Sequence, residues 1–358
     1  MNRKALLSDE HAYTDEERKL IDRYIARLRV PAIKDFLRES EQKISGSKQA
    51  LLERIEEALK SGDVSYTQLV HFLDEVEPWR AQQVFLFGAS SLNLEPYRTP
   101  EAFDRHLRSH HASKPFRQPV PLVLPDGLTV ASIQHDGRRI RITAVERREG
   151  WLRDESLDPQ GTERTVEDEE LELRAYVRRV TRGLITFEWD IIENLAMMQV
   201  SRLPSGENYD EARERFENLV SRWLDARTFP LINLPKAIKT LHIAEEVRKA
   251  ASQPPMLKSY GVEYARQGGG RLAGVGATAE DSVTDDPALS ASLQQFRNVS
   301  QGRRGNFYWT LDSLGADYVG STAHAIVFAS TRRITFPTDN LDEATIRHVL
   351  TDIRTASL

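Results

Sequence analysis

In Arg139-Ile140-Arg141-Ile142-Thr143-Ala144 apolar and polar side chains alternate with a period of two, which is typical of a β-strand. A strand with this pattern buries its apolar side chains on one face and exposes the polar ones on the other. The same alternation occurs from Leu171 to Arg178 and again from Ile185 to Trp189. We interpret Thr181-Arg182-Gly183 as a short hairpin connection between these runs. The pattern predicts an antiparallel sheet with one wet face.

The chain on either side of this sheet predicts an α+β protein in three parts. Residues 1–113 form a helical domain, in which Leu20, Tyr24 and Leu28 recur at helical spacing. Prolines between Pro115 and Pro125 interrupt that pattern. Residues 114–252 form the antiparallel sheet domain with inserted helices, and the polar stretch 149–170 within it is expected to be an exposed loop. Residues 253–358 form a β-rich region, with strands at 259–266, 271–277, 306–311 and 325–336 and a final helix.

Composition excludes several classes of protein. None of the 358 residues is cysteine, which excludes disulfide scaffolds, thiolate metal sites and cysteine nucleophiles. No apolar run approaches the roughly 18 residues of a membrane span, and Met1 to Glu10 lack the apolar segment of a signal peptide. We therefore expect an intracellular, cytoplasmic protein with no membrane partner. The net charge of −5 restricts nucleic-acid binding to a local patch.

The segment from Leu28 to Ile55 carries the functional information. Ile33, Phe36 and Leu37 give one apolar face to a short helix that Pro31 opens. Leu51, Leu52 and Ile55 give a matching face to a second helix, and Ser45-Gly46-Ser47 connects the two. Glycine allows a tight connection there, and a serine can cap the following helix.

This segment, residues 28–59, resembles the SAP module, a helix–loop–helix unit that binds double-stranded DNA. Val30, Ile33, Lys34 and Leu37 match its first helix, and the Gly46-x-Lys48-x-x-Leu51 spacing with Arg54 and Ile55 matches its loop and second helix. The sequence differs at Glu41-Gln42, where the family usually has Gly-Leu. The resemblance implies contacts with DNA phosphates through glycine, lysine and helix N-terminal amides. The residues that it nominates are Lys34, Arg38, Lys43, Ser45, Gly46, Ser47, Lys48 and Arg54.

Two alternatives stay open at this level. Seven basic and six acidic residues lie between Leu28 and Lys60, so the segment also fits an ordinary helical hairpin with solvated charges. A second basic concentration includes Arg139, Arg141 and Arg178, which would line an exposed sheet face and follow a DNA backbone. Pairing of these arginines with the acidic loop from Glu163 to Glu172 is the favoured interpretation of that concentration.

The order of parts, a helical N-terminus followed by sheet regions, is also similar to that of the centromere protein N family. That likeness is architectural and rests on no diagnostic motif. It implies that a small helical domain and a following sheet domain face nucleosomal DNA together.

Sequence patterns for catalysis are weak. The adjacent His110 and His111 lack a carboxylate at ligand spacing. Asp190 and Glu193 lack the further acid and lysine of a metal nuclease, and we interpret them as a helix start. Gly268 to Gly270 fit a β-turn rather than a phosphate loop. Phe307-Tyr308-Trp309 fits strand core better than base stacking. No catalytic residue, metal ligand or cofactor is therefore predicted.

These observations together predict a non-catalytic tether or adaptor that binds duplex DNA mainly through its phosphates. The expected partners are double-stranded DNA and a further protein or a second copy of the chain. The resemblance to SAP modules also implies a role in bacterial defence or genome maintenance. A metal-dependent nuclease with dispersed ligands and a protein-interaction scaffold are the alternatives.

Overall fold

The computed structural model describes residues 13–26, 28–76, 79, 82–118, 120, 124–153, 164–166, 169–171, 175–204, 206–278, 281–310, 322–337 and 341–358. The protein is of the α+β class. Its α-helices within these ranges are α1 (Asp15–Ala26), α2 (Val30–Glu39), α3 (Lys48–Ser61), α4 (Tyr66–Val76), α5 (Pro100–Ser109), α6 (Tyr209–Val220), α7 (Leu234–Ala250), α8 (Pro287–Asn298) and α9 (Glu343–Ser357).

The strands form one ten-stranded antiparallel sheet and a separate two-stranded ribbon, β4–β5, within the described part of the chain. The order in the large sheet is β2-β3-β6-β7-β1-β12-β11-β10-β8-β9. The strands are β1 (Gln82–Phe87), β2 (Thr129–His135), β3 (Arg139–Arg153), β4 (Arg164–Val166), β5 (Glu169–Leu171), β6 (Tyr176–Asp190), β7 (Leu195–Ser201), β8 (Leu257–Ala265), β9 (Arg271–Val275), β10 (Gln301–Thr310), β11 (Thr322–Phe328) and β12 (Arg333–Phe336).

Strand β1 lies near the middle of this sheet and is buried on both faces. Its residues Val84 and Leu86 belong to one hydrophobic core, which α7 and α9 build over the C-terminal strands. Its residues Phe85 and Phe87 belong to a second core, which α5 and α6 build over β2, β3, β6 and β7. Because successive side chains of a strand point to opposite faces, the two cores lie on opposite sides of the sheet.

The position of β1 corrects the prediction that residues 1–113 form a helical domain, because this range also contributes a strand. Gln82–Phe87 pairs with β7 and β12. An apolar run that is buried on both faces shows no alternation, so periodicity did not reveal this strand. The large sheet also joins strands from 114–252 to strands from 253–358. The predicted strand at 325–336 is divided into β11 and β12 by a turn.

A second correction concerns Thr181-Arg182-Gly183, which lies in the middle of β6 and is not a hairpin connection. Gly183 is required there by packing, since a Cβ on it would lie 2.3 Å from Nε of Arg148 on the neighbouring strand. Part of the stretch 149–170, expected to be a loop, belongs to β3, β4 and β5. Asp190 ends β6 before a four-residue turn, so the predicted helix start is wrong.

Helices α1 to α4 pack around a separate core that includes Ile21, Leu37, Leu51 and Leu69. Asp74 of α4 connects this bundle to the sheet. Its carboxylate accepts hydrogen bonds from Nη2 of the buried Arg182 (3.3 Å) and from the backbone N–H of Val120 (2.9 Å). No helix in the described ranges is both long and apolar enough to span a bilayer.

Candidate nucleic-acid interface

The helix–loop–helix predicted between Leu28 and Ile55 is formed by α2 and α3. Pro31 lies in the first turn of α2, where the missing N–H costs no intrahelical hydrogen bond. Ile33 and Leu37 of α2 and Leu51 of α3 are fully buried against one another and against the rest of the four-helix bundle. The bundle supplies the apolar surface that two short helices lack on their own.

Residues 43–48, here called the 43–48 loop, connect α2 to α3. Ser47 caps α3, since its side chain accepts a hydrogen bond from the backbone N–H of Ala50 (3.3 Å). Gly46 has a φ of +121°, which is strained for a residue with a side chain. A Cβ at Gly46 would also lie 3.2 Å from Cβ of Ala50. The connection therefore requires glycine at this position.

Arg54 of α3 forms hydrogen bonds with the backbone of the 43–48 loop. Its Nη1 donates to the backbone carbonyl of Lys43 (3.1 Å) and to that of Ser45. These two bonds occupy one end of the guanidinium and fix the path of the loop across the start of α3. The structure therefore gives Arg54, nominated as a phosphate contact, an evident role in positioning the loop.

The 43–48 loop is an exposed basic surface. Lys43, Ser45, Gly46, Ser47 and Lys48 are exposed. No acidic residue occurs between Gln42 and Leu52. No carboxylate of the described chain lies within 4.0 Å of the ammonium groups of Lys43, Lys48 or the half-buried Lys34. The two loop lysines and the first amides of α3 therefore form a locally positive surface that is exposed to solvent.

Arg38 differs from these lysines, because it pairs with Asp35 one helical turn earlier. The Nη1–Oδ1 distance is 2.6 Å and both side chains are largely exposed. An exposed pair of this kind contributes at most about 1 kcal/mol. Such a pair leaves the arginine able to exchange its partner for a phosphate.

The sheet arginines nominated from the sequence are engaged in ion pairs. Nη2 of Arg141 lies 3.0 Å from Oε2 of Glu188, and Nε of Arg139 lies 4.0 Å from Oε1 of the same carboxylate. Arg347 of α9 also pairs with Glu188, with 2.7 Å between its Nη1 and Oε1 of the carboxylate. Burial raises the pKa of Glu188, but the ion pairs with Arg347 and Arg141 outweigh it and leave that pKa lowered.

Arg178 lies far from the other two sheet arginines and pairs with Glu149 of β3. Because Arg141 pairs with Glu188 in register, ten residues of strand separate it from Arg178, about 33 Å. The sheet arginines therefore do not form one compact patch. Their partners are neighbours in the sheet. We expected them to pair with the acidic segment from Glu163 to Glu172, whose side chains lie outside the described part of the structure.

Asp190, one of the two carboxylates considered for a metal nuclease, has a structural role. Oδ1 of Asp190 accepts from the backbone N–H groups of Ile192 and Glu193, both at 3.1 Å, and so closes the β6–β7 turn. Across all described ranges, no group of three or more histidine and acidic side chains is placed to hold a metal ion. His110 and His111 follow the end of α5.

The glycine run from Gly268 to Gly270 turns the chain between β8 and β9, as predicted. Phe307 and Trp309 are buried in the core, also as predicted. Tyr308 points to the opposite face of β10. There its ring stacks on His324 of β11 with a centroid separation of 4.3 Å.

One feature of the structure has no counterpart in the sequence patterns. A cavity of about 390 Å³ lies between α9 and the β6–β7 hairpin, and four arginines line it. Arg347 and Arg354 reach it from the far end of the chain, while Arg138 and Arg139 come from the start of β3. Only the packing of α9 on the sheet brings these residues together, so no local spacing indicates the cavity.

Comparison of the chain with protein-family models and with curated proteins finds no match.

Proposed function

We propose that this protein binds duplex DNA through the 43–48 loop and the N-terminus of α3, as a non-catalytic tether or adaptor. The observation that carries the proposal is an exposed, rigidly held loop whose lysines have no carboxylate within 4.0 Å among the described residues. DNA supplies a regular array of phosphates, and the phosphate term dominates sequence-independent affinity.

The geometry suits phosphate more than base edges. Gly46 has no side chain to hold a phosphate away from the backbone, and the first amides of α3 offer donors at the positive end of the helix dipole. Lys43 and Lys48 flank that point. A module with so few cations binds weakly and carries little sequence information, because phosphate contacts position a protein without reading bases.

Lys34, Lys43 and Lys48 are the cations we assign to this interface, with Arg38 at its edge. Arg54 positions the loop, and Ser45, Gly46 and Ser47 shape its backbone. Arg139, Arg141 and Arg178 are assigned to ion pairs within the sheet. A tether of this kind would place a protein partner, or a second copy of the chain, on DNA. An intracellular role in bacterial genome maintenance or defence belongs to the same proposal.

The proposal is tested by titrating the full-length protein with a fluorescent 20-base-pair duplex at several salt concentrations. Three lysine contacts predict that log K falls with log salt at a slope of about −3. A slope near zero, or no binding at low salt, would contradict phosphate recognition. Incubating plasmid with the protein and Mg²⁺ or Mn²⁺ tests the nuclease alternative, and cleavage would overturn the non-catalytic assignment.

A further inference from the structure

The cavity between α9 and the β6–β7 hairpin has the size of a small-molecule site. Its volume of about 390 Å³ falls within the range of ligand pockets, roughly 300–1,000 Å³. Its lining combines four arginines with apolar side chains of α9, β1 and β7, here called the apolar wall. The arginines are Arg138, Arg139, Arg347 and Arg354. A cavity of mixed character is typical of sites for organic anions.

Two of the four arginines form short ion pairs with carboxylates of the protein. Arg347 lies 2.7 Å from Glu188 and 2.7 Å from Glu343, and its guanidinium lies 4.8 Å from the ring centroid of Trp79. Arg138 lies 2.7 Å from Asp190. These contacts hold the two side chains in place and neutralise much of their charge.

Arg354 lacks such a partner among the described residues. Its side chain is largely buried, its Nη2 donates to the backbone carbonyl of Ala196 (2.9 Å), and its buried Nε has no hydrogen-bond partner among the described residues. No described carboxylate lies within 4.0 Å of it. Burial lowers the pKa of Arg354, against the weaker opposing effect of Asp190. A largely buried cation without a counter-ion gains more from a bound anion than an exposed one does.

Arg139 is the second arginine of the cavity without a close carboxylate partner, since both of its ion pairs are long. Its Nε is 3.9 Å from Asp190 and 4.0 Å from Glu188, at the limit of ion pairing, and its side chain is about 37% exposed. It can therefore turn toward a ligand without breaking a short hydrogen bond. Arg139 and Arg354 line the same cavity from β3 and α9.

The remaining lining suits an organic group that carries hydrogen-bond donors. Leu86, Met197 and Leu350 form the apolar part of the lining, where the cavity meets the hydrophobic core in which they are buried. The carboxylates of Asp190 and Glu193 accept hydrogen bonds and would bind hydroxyl or amino groups. Inorganic phosphate alone would leave both of these features unused.

We propose that this cavity binds a nucleoside phosphate, with Arg354 and Arg139 holding the phosphate and the apolar wall holding the base. The site would be separate from the 43–48 loop, and it does not depend on DNA binding. The ligand's hydroxyl or amino donors would lie toward Asp190 and Glu193.

Isothermal titration calorimetry of the full-length protein with AMP and ATP tests the proposal. We expect saturable binding of at least one of them, and at least tenfold weaker binding by the Arg354→Met variant. Arg139→Gln alters the rim of the cavity and should also weaken binding severalfold. Arg227→Gln is the matched control, because Arg227 is exposed, pairs with Asp225 and lies outside the cavity lining.

Several outcomes would overturn the proposal. One is the absence of binding by AMP and ATP, and another is unchanged affinity in both Arg354→Met and Arg139→Gln. An affinity for inorganic phosphate equal to that for AMP would contradict the role of the apolar wall. An affinity for glucose 6-phosphate equal to that for AMP would contradict recognition of a base. Displacement of AMP by a short duplex would show that DNA itself supplies the phosphate. Because Arg139 is partly exposed, its variant keeps the test valid if Arg354→Met fails to fold.

Discussion

Nη1 of Arg54 donates to the backbone carbonyl of Lys43 at 3.1 Å, and the same nitrogen donates to the carbonyl of Ser45. A side chain eleven residues along the chain thus determines the path of the loop to which we assign DNA binding. The arginine contributes to the interface mainly through the backbone it holds.

Replacing Arg54 by lysine separates the positioning role from the charge. Lysine keeps the positive charge, but its compact ammonium lies on a flexible four-carbon chain and lacks the planar guanidinium that places Nη1 between the two carbonyls. We expect Arg54→Lys to weaken duplex binding nearly as much as Arg54→Met does, by severalfold, in a fluorescence-anisotropy titration. Affinity close to wild type in Arg54→Lys, with loss in Arg54→Met, would instead make Arg54 a direct phosphate contact.

Substitution of Gly183 tests whether packing against Arg148 requires glycine at this position of β6. An alanine there would drive its Cβ into the guanidinium of Arg148, which donates to Glu146 at 2.8 Å and to Ser201 Oγ at 2.9 Å. Disrupting this buried ion pair is expected to cost about 3 kcal/mol of unfolding free energy. Thermal denaturation of Gly183→Ala should therefore show a clearly lower Tm than that of wild type.

Gly127→Ala is the control for that substitution, because a Cβ on Gly127 meets no atom within 4 Å. Its effect should stay within about 0.5 kcal/mol. The double variant Gly183→Ala/Arg148→Met should lose less unfolding free energy than the sum of the losses in the two single variants, because both substitutions act on the same contact. Full additivity would show that Gly183 matters for another reason.

The buried His242 predicts a pH dependence of stability. Its Nδ1 lies 2.7 Å from the hydroxyl oxygen of Tyr264 and 3.1 Å from Nη1 of Arg297, an arrangement that requires a neutral ring. Burial, reinforced by Arg297, lowers its pKa to about 3. Because the unfolded chain binds a proton near pH 6.5 and the folded chain does not, stability falls as pH drops below that value.

Between pH 7 and pH 5 this effect amounts to about 2 kcal/mol. His242→Asn retains an acceptor near the Nδ1 position but does not titrate, so it lacks this loss. We expect the difference in Tm between wild type and His242→Asn to shrink as pH falls over that range. A constant difference would show that His242 titrates in the folded protein as it does in the unfolded chain.

The sequence predicted those parts of the fold that depend on local patterns. The alternation around Ile140 and Ile142 predicted strand β3, and the spacing of Ile33, Phe36 and Leu37 predicted helix α2. Gly183 looked like a turn residue because its packing partner Arg148 lies on another strand. Strand β1 was missed because burial on both faces removes the alternation that marks a strand.

Prediction of the site was limited in the same way. The 43–48 loop is contiguous in sequence, so glycine, serine and lysine at short spacing pointed to it. The pairing of Arg141 with Glu188 joins residues 47 apart, and that of Arg347 with Glu188 joins residues 159 apart. Contacts of that range depend on the sheet order and the docking of α9, which local periodicity does not encode. The cavity lined by Arg354 was unpredictable for the same reason.

Binding of DNA at the 43–48 loop is tested by comparing the duplex-DNA affinity of Lys48→Glu with that of Lys60→Glu. Both variants reverse one charge on α3, but Lys48 starts the helix beside the loop, whereas Lys60 is about 18 Å away near its end and pairs with Glu56. We expect Lys48→Glu to weaken binding at least fivefold and Lys60→Glu to change it by less than twofold. Equal losses in the two variants, or none in Lys48→Glu, would contradict binding at the 43–48 loop.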